Sequence, residues 1–211
     1  MSKNSLIEKI QEEYKDAKCE LNFNSPFQLL VAVVLSAQCT DKRVNEVTKH
    51  LFAKYPSAKD IASLPLESIE NEIRSCGFYH NKAIALKSLS QDIETRFGGE
   101  FPKTKEELKS LRGVGEKTAN VVVSMVYRVP AIAVDTHVFR VSNRLGLANA
   151  NTPEKTQKQL EKVIPKKYWI NTHYALVLHG RYVCSSRSPK CEICNFKEDC
   201  KFYKENQKSK K

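Results

Sequence analysis

The chain has 211 residues, with 35 Lys and Arg against 24 Asp and Glu and a formal net charge of +11. That length suits one or two domains with a real core, and 41% hydrophobic residues with only 7 Gly and 8 Pro exclude collagen-like and low-complexity classes. The longest apolar run, Phe27 to Ala37, is broken by Gln28 and Ser36 and is too short for a bilayer, and Met1–Gln11 shows no secretory pattern. A soluble, cytoplasmic protein with an anionic partner is therefore expected.

Asn24-Ser25-Pro26 reads as a serine N-cap with proline at the first helical position, opening a helix over Phe27–Gln38. Thr40 caps Asp41–Tyr55, where Val44, Val47, Leu51 and Phe52 form one apolar stripe. Helical patterns follow over Leu66–Cys76, Asn81–Phe97, Lys105–Leu111, Gly115–Tyr127 and Thr136–Leu145. Thr152-Pro153 repeats the cap pattern and opens a helix through Val163, and Thr172–Val183 is the last strong segment. Most glycines end such segments; Gly180 lies inside one. With no long period-2 alternation and no internal repeat, the expected fold class is all-α. The Lys-rich stretch from Lys204 to Lys211 reads as a disordered tail.

Leu111-Arg112-Gly113-Val114-Gly115-Glu116-Lys117-Thr118-Ala119-Asn120 places two glycines around a valine between two helical patterns. Such a hairpin lets backbone amides approach an anion, helped by the positive end of the helix that follows, with Val114 turned inward as a pin. The plainer reading is a tight turn between two core helices. Lys117, in the first turn, is either a solvated phosphate contact or a nucleophile. An amine attacks in its neutral form, which burial and a helix N-terminus both favour.

Val134-Asp135-Thr136-His137 delivers a carboxylate from an apolar stem to a helix start. Asp135 is at least an N-cap; projecting from a buried stem, it would also stabilise a developing oxocarbenium ion or take a proton from an amine. His137 is read as a phosphate or base contact, or as an ordinary half-buried histidine.

Of the seven cysteines, Cys19, Cys39 and Cys76 are scattered, while Cys184, Cys191, Cys194 and Cys200 follow a C-x6-C-x2-C-x5-C pattern. Four clustered thiols in an odd total point to a metal site, not a disulfide framework. Spacing does not separate Zn²⁺ from an iron–sulfur cluster. Arg181, Arg187, Lys190, Lys197 and Lys201 are the cations expected to offset the ligand charge.

With Leu35-Ser36-Ala37-Gln38-Cys39-Thr40-Asp41 ahead of the hairpin, Val134–His137 and the four cysteines, the chain resembles the endonuclease III family of helix-hairpin-helix DNA glycosylases. The resemblance covers nearly the whole chain. It implies two helical domains with a cleft between them: a six-helix domain over residues 22–132 carrying the hairpin, and a discontinuous domain over 1–21 and 133–211 carrying a cluster loop at 184–200. It implies a bifunctional glycosylase and AP lyase. Lys117 would form a Schiff base at C1′, Asp135 would be the catalytic carboxylate, and β-elimination would cut 3′ to the abasic site. Cys184, Cys191, Cys194 and Cys200 would hold a [4Fe–4S] cluster. Gln38 would fill the space left by the extruded base, and Phe78 stands where the family commonly has a leucine wedge. Gly113, Val114, Gly115 and His137 would contact DNA. The partner would be duplex DNA with oxidised pyrimidines such as thymine glycol, or with abasic sites. The protein would act as a monomer at the nucleoid, with no membrane partner.

Two departures mark the hairpin. Arg112 replaces a usual proline, and Glu116, which replaces a usual basic residue, sets a carboxylate near phosphate and Lys117. The alternatives are a monofunctional adenine-excising relative, which lacks a lysine at this position, a non-catalytic helix-hairpin-helix DNA-binding protein, and a zinc-stabilised binding module.

Overall fold

The computed structural model describes residues 3–208, and every regular element among them is helical. In chain order these are α1 (Lys3–Glu13), α2 (Pro26–Leu35), α3 (Asp41–Lys54), α4 (Ala58–Ser63), α5 (Leu66–Ile73), α6 (Tyr79–Arg96) and α7 (Lys105–Lys109). There follow α8 (Glu116–Val126), α9 (Thr136–Leu145), α10 (Pro153–Val163), α11 (Trp169–Tyr182) and α12 (Lys201–Lys208), with single 3-10 turns at Lys166–Tyr168 and Cys191–Ile193. The chain divides into two compact units, Glu20–Val129 and a discontinuous one made of Met1–Cys19 with Pro130–Lys211.

In the unit Glu20–Val129, α2 is buried from Phe27 through Leu35, as a helix apolar at every position but Gln28 must be. It packs on α3, α6 and α8, while α4 and α5 pack on α6 and α7 on α8. The expected caps form: Ser25 Oγ accepts from Gln28 N at 3.2 Å, and Thr40 Oγ1 from Arg43 N at 3.3 Å. Two further helix starts carry capping boxes, Ser57 with Asp60 at α4 and Thr104 with Glu107 at α7.

The other unit joins α1 to the C-terminal helices. α9 packs on α11, α10 and α12, and α1 on α11. Leu6, Ile7 and Ile10 of α1 enter one core with Val138, Val141, Leu160, Leu176 and Phe196. Each such side chain contributes about 1.5–3 kcal/mol on leaving water, which is what retains the N-terminal segment here.

Several boundaries differ from expectation. The helix read over Phe27–Gln38 stops at Leu35, because Ser36 Oγ turns back on Val33 O at 2.8 Å and Gln38 adopts φ +53. α5 ends at Ile73, short of Cys76, α7 ends before Leu111, and α6 begins at Tyr79, before Asn81. α11 begins at Trp169, before Thr172. The tail read as disordered from Lys204 is helical through Lys208, and residues 209–211 lie outside the described ones. Among the described residues, no helix is long and apolar enough to cross a membrane.

Candidate active site and thiol cluster

The hairpin forms between α7 and α8. Val114 is 6% exposed and its amide donates to Leu111 O at 3.2 Å, so the valine is the inward pin the sequence suggested. Its N–H is spent inside the turn and is not available to an anion. Gly113 has φ +82, and a Cβ there would lie 2.7 Å from Ala85 Cβ on α6. The close approach that demands this glycine is therefore to the protein's own helix. Gly115, the N-cap of α8, faces open space where a Cβ would be, so its side of the turn remains free for a ligand.

Lys117 follows at the second position of α8 and is exposed. The fold therefore places Lys117 at the N-terminus of α8, as expected, but does not bury it. Glu116 does not stand free near Lys117. Lys109 Nζ meets its Oε2 at 2.8 Å and Lys105 Nζ pairs with Oε1. Hydrogen bonds from these two ammonium groups hold the Glu116 carboxyl below its usual range. The departure from a basic residue is therefore locally neutralised.

Gln38 and Phe78 lie on two turns of the same unit that touch: a Cβ on Gly77 would come 3.3 Å from Gln38 O. Both residues are exposed, Phe78 by 63%, and both hold left-handed backbone, with φ of 53 and 58. Phe78 thus presents an exposed aromatic ring on a turn held in left-handed backbone.

Asp135 and His137 belong to the other unit. Asp135 Oδ1 accepts from Val138 N at 2.7 Å, so the N-cap reading is realised. This bond engages one of two carboxylate oxygens. His137 is half-buried, and its Nδ1 lies 3.1 Å from Arg140 Nη2. Burial lowers its pKa, Asp135 raises it and Arg140 lowers it again, with a net downward shift. His137 is thus held neutral, suited to a hydrogen bond and not to a charge contact with phosphate. Gly180 has its reason here. α11 crosses α9 so closely that a Cβ at Gly180 would sit 2.8 Å from His137 Cβ and 3.1 Å from Val141 Cγ2.

Cys184, Cys191, Cys194 and Cys200 line one pocket, with Leu145, Val183, Phe202 and Tyr203 around them, and all four are free thiols. Burial raises the thiols of Cys191, Cys194 and Cys200, so without a cation they would stay protonated. Among the described residues no three His, Cys, Asp or Glu converge closely enough for a single metal ion.

The sequence reading missed this site's nearest polar partners. Arg144 Nη1 donates to Cys184 Sγ at 3.5 Å and to Ser185 O at 2.7 Å, and its guanidinium stacks on Phe202 at 4.5 Å. Arg140 Nε donates to Cys184 O at 3.0 Å. His179 Nε2 lies 3.6 Å from Cys194 Sγ, while its Nδ1 meets Tyr14 Oη at 2.8 Å. Of the cations expected, Lys190 and Lys197 do line the cysteine pocket, Lys197 donating to Glu192 O, while Lys201 pairs with Glu205. The available signal was Arg140 and Arg144 at i, i+4 on the helix that Asp135 caps.

Residues 31–166 match the family model described as HhH-GPD superfamily base excision DNA repair protein. The chain is 47% identical over 196 residues to Endonuclease III of Bacillus subtilis (strain 168), covering 92% of this chain and 90% of that protein. Among solved structures it is similar to a trapped Endonuclease III–DNA covalent intermediate, at 45% identity and TM-score 0.92, covering 98% and 99% of the two chains. It is equally similar to a non-covalent Endonuclease III–DNA complex, at 45% identity and TM-score 0.93, covering 99% of each chain.

Proposed function

Because the chain belongs to the HhH-GPD superfamily of base excision DNA repair proteins, and within it to the endonuclease III family, we propose the following roles for its residues. The protein is a bifunctional DNA glycosylase and DNA-(apurinic or apyrimidinic site) lyase. Lys117 is the nucleophile. Its neutral Nζ attacks C1′ as the bond to the damaged base breaks, and the base leaves with a proton. Ring opening gives a Schiff base; loss of a C2′ proton then expels the 3′ phosphate, and water releases Lys117. Asp135 stabilises the positive charge that develops on the sugar and takes the proton from the amine. Gln38 and Phe78 occupy the duplex where the extruded nucleotide stood, and Gly113, Gly115 and His137 lie against the DNA. Val114 serves that face from below, as the packing pin of the hairpin.

The substrates are oxidised pyrimidines such as thymine glycol, together with abasic sites, taken by a monomer at the nucleoid. The observation that carries the chemistry is an exposed primary amine at a hairpin–helix junction, in a chain similar over almost its whole length to one trapped covalently on DNA.

The four thiols that line one pocket are the donor set a [4Fe–4S] cluster takes. When bound, such a cluster would supply four iron–thiolate bonds that crosslink a loop with little core of its own. Arg144 and His179 would donate hydrogen bonds to its ligands.

Borohydride reduction on duplex DNA containing thymine glycol tests the assignment. The wild-type protein is expected to give a covalent complex, and Lys117→Ala to give none while still binding the duplex. Full trapping by Lys117→Ala would move the nucleophile elsewhere. Base release without trapping by the wild type would favour a monofunctional glycosylase.

A further inference from the structure

Two cysteines outside the cluster loop, read from sequence as scattered, come together. Cys39 follows Gln38 in the turn between α2 and α3; Cys76 precedes Gly77-Phe78 in the turn between α5 and α6. The contact of Gly77 with Gln38 O brings their turns together, the two thiols act on each other, and neither is oxidised. Cys76 is 1% exposed and Cys39 half-buried, so one thiol is open to a small oxidant and the other is sealed behind it. Both turns are held from within, by Cys39 N on Ser36 O at 3.2 Å and by Cys76 N on Ile73 O at 2.8 Å.

Lys82 completes the group. It is only 6% exposed, its Nζ donates to Leu35 O at 2.8 Å, and both thiols act on its charge. Burial first, and Cys39 beside it, push the Cys76 thiol up to about 11 even with the Lys82 and Arg43 charges opposing them. The Lys82 ammonium favours the charged form that thiol–disulfide exchange needs, while Cys76 keeps its proton until it attacks.

We propose that Cys39 and Cys76 are a redox modification site: they form a reversible disulfide that ties the Gln38 turn to the Phe78 turn. With oxidised glutathione as oxidant, the Cys39 thiolate attacks one glutathione sulfur and expels a glutathione thiolate. Cys76, giving up its proton, then attacks Cys39 Sγ and expels the second. Two electrons pass to the glutathione disulfide, which leaves as two thiols carrying the two protons. A bond of about 2.05 Å between the two sulfurs ties the two turns to each other. Gln38 and Phe78, each beside one of these cysteines, can then no longer part around a base pair. This last consequence rests on the DNA reading above; the disulfide does not.

The holoenzyme, equilibrated across glutathione redox buffers, alkylated and digested, tests the bridge by mass spectrometry. A Cys39–Cys76 linked peptide is expected as the oxidised fraction rises, and its loss on return to the reduced buffer. Both cysteines fully alkylated across the whole range, or glutathione left on Cys39 alone, would overturn the site. Binding to thymine-glycol duplex is expected to weaken roughly tenfold on bridging, equivalent to about 1.4 kcal/mol. Cys39→Ser should bind equally in both buffers. A bridge that leaves affinity unchanged would overturn its coupling to the two turns. Failure of the reduced protein to bind DNA would count against the functional reading instead.

Discussion

Gly113→Ala probes whether the hairpin is held by the protein's own packing. The new methyl meets two independent costs. Its φ of +82 is left-handed, which costs an L-residue roughly 1–2 kcal/mol. Its Cβ would also stand 2.7 Å from Ala85 Cβ, an atom fixed to the backbone of α6 that cannot rotate away. Overpacking of this kind costs about 1–3 kcal/mol. Against this, alanine restricts the unfolded chain and returns about 0.4–1 kcal/mol. The net loss is about 1–5 kcal/mol, or a thermal midpoint lower by roughly 2–18 °C for a chain of this size. Ala85→Gly separates the terms. Alone it costs up to about 1 kcal/mol of helix propensity; combined with Gly113→Ala it removes the contact but not the φ strain. A double-mutant cycle on thermal or urea midpoints should therefore give a favourable coupling of about 1–3 kcal/mol. Because Lys117 stands four residues on, the single variant should also excise lesions more slowly. A Gly113→Ala midpoint within about 0.5 kcal/mol of wild type, or strict additivity with Ala85→Gly, would refute the packing argument.

Asp135→Asn keeps a residue that caps helices as well as Asp does but removes the charge. Stability should change little, while single-turnover excision falls by about 10²–10⁴ with affinity nearly retained; an unchanged rate would leave Asp135 as a cap only. Glu116→Gln releases Lys105 and Lys109 from their shared partner. DNA affinity should rise severalfold, with a steeper salt dependence in a binding titration, and an unaltered slope would show that these lysines do not face phosphate. Cys194→Ser should abolish the visible absorption of the purified protein and lower its thermal midpoint. A wild type that is colourless and retains one zinc per chain would overturn the cluster assignment.

Much of this architecture was written in short-range chemistry. Ser25, Thr40, Asp135 and Thr152 cap the helices they were expected to cap, because an N-cap bond spans three residues and needs no tertiary context. α4 escaped attention although Ser57-Ala58-Lys59-Asp60 carries a capping box, since six residues are too few for a period to emerge. What could not be read was contact between distant segments. Gly180 looked like a misplaced breaker until α9 came against it. Arg140 and Arg144 shared a helix face, but only the fold carried Arg144 to a cysteine 40 residues later, and Cys39 and Cys76 looked unrelated until two turns met. The same limit explains Lys117. Motif and helix position are local and pointed to it, but burial is a property of the whole fold, and the fold leaves this amine exposed. The helix turn supplies the position of the amine, and desolvation has to come from the substrate. A damaged duplex closing over the hairpin would supply both the desolvation and the electrophile, so the amine would become reactive only when there is a sugar for it to attack.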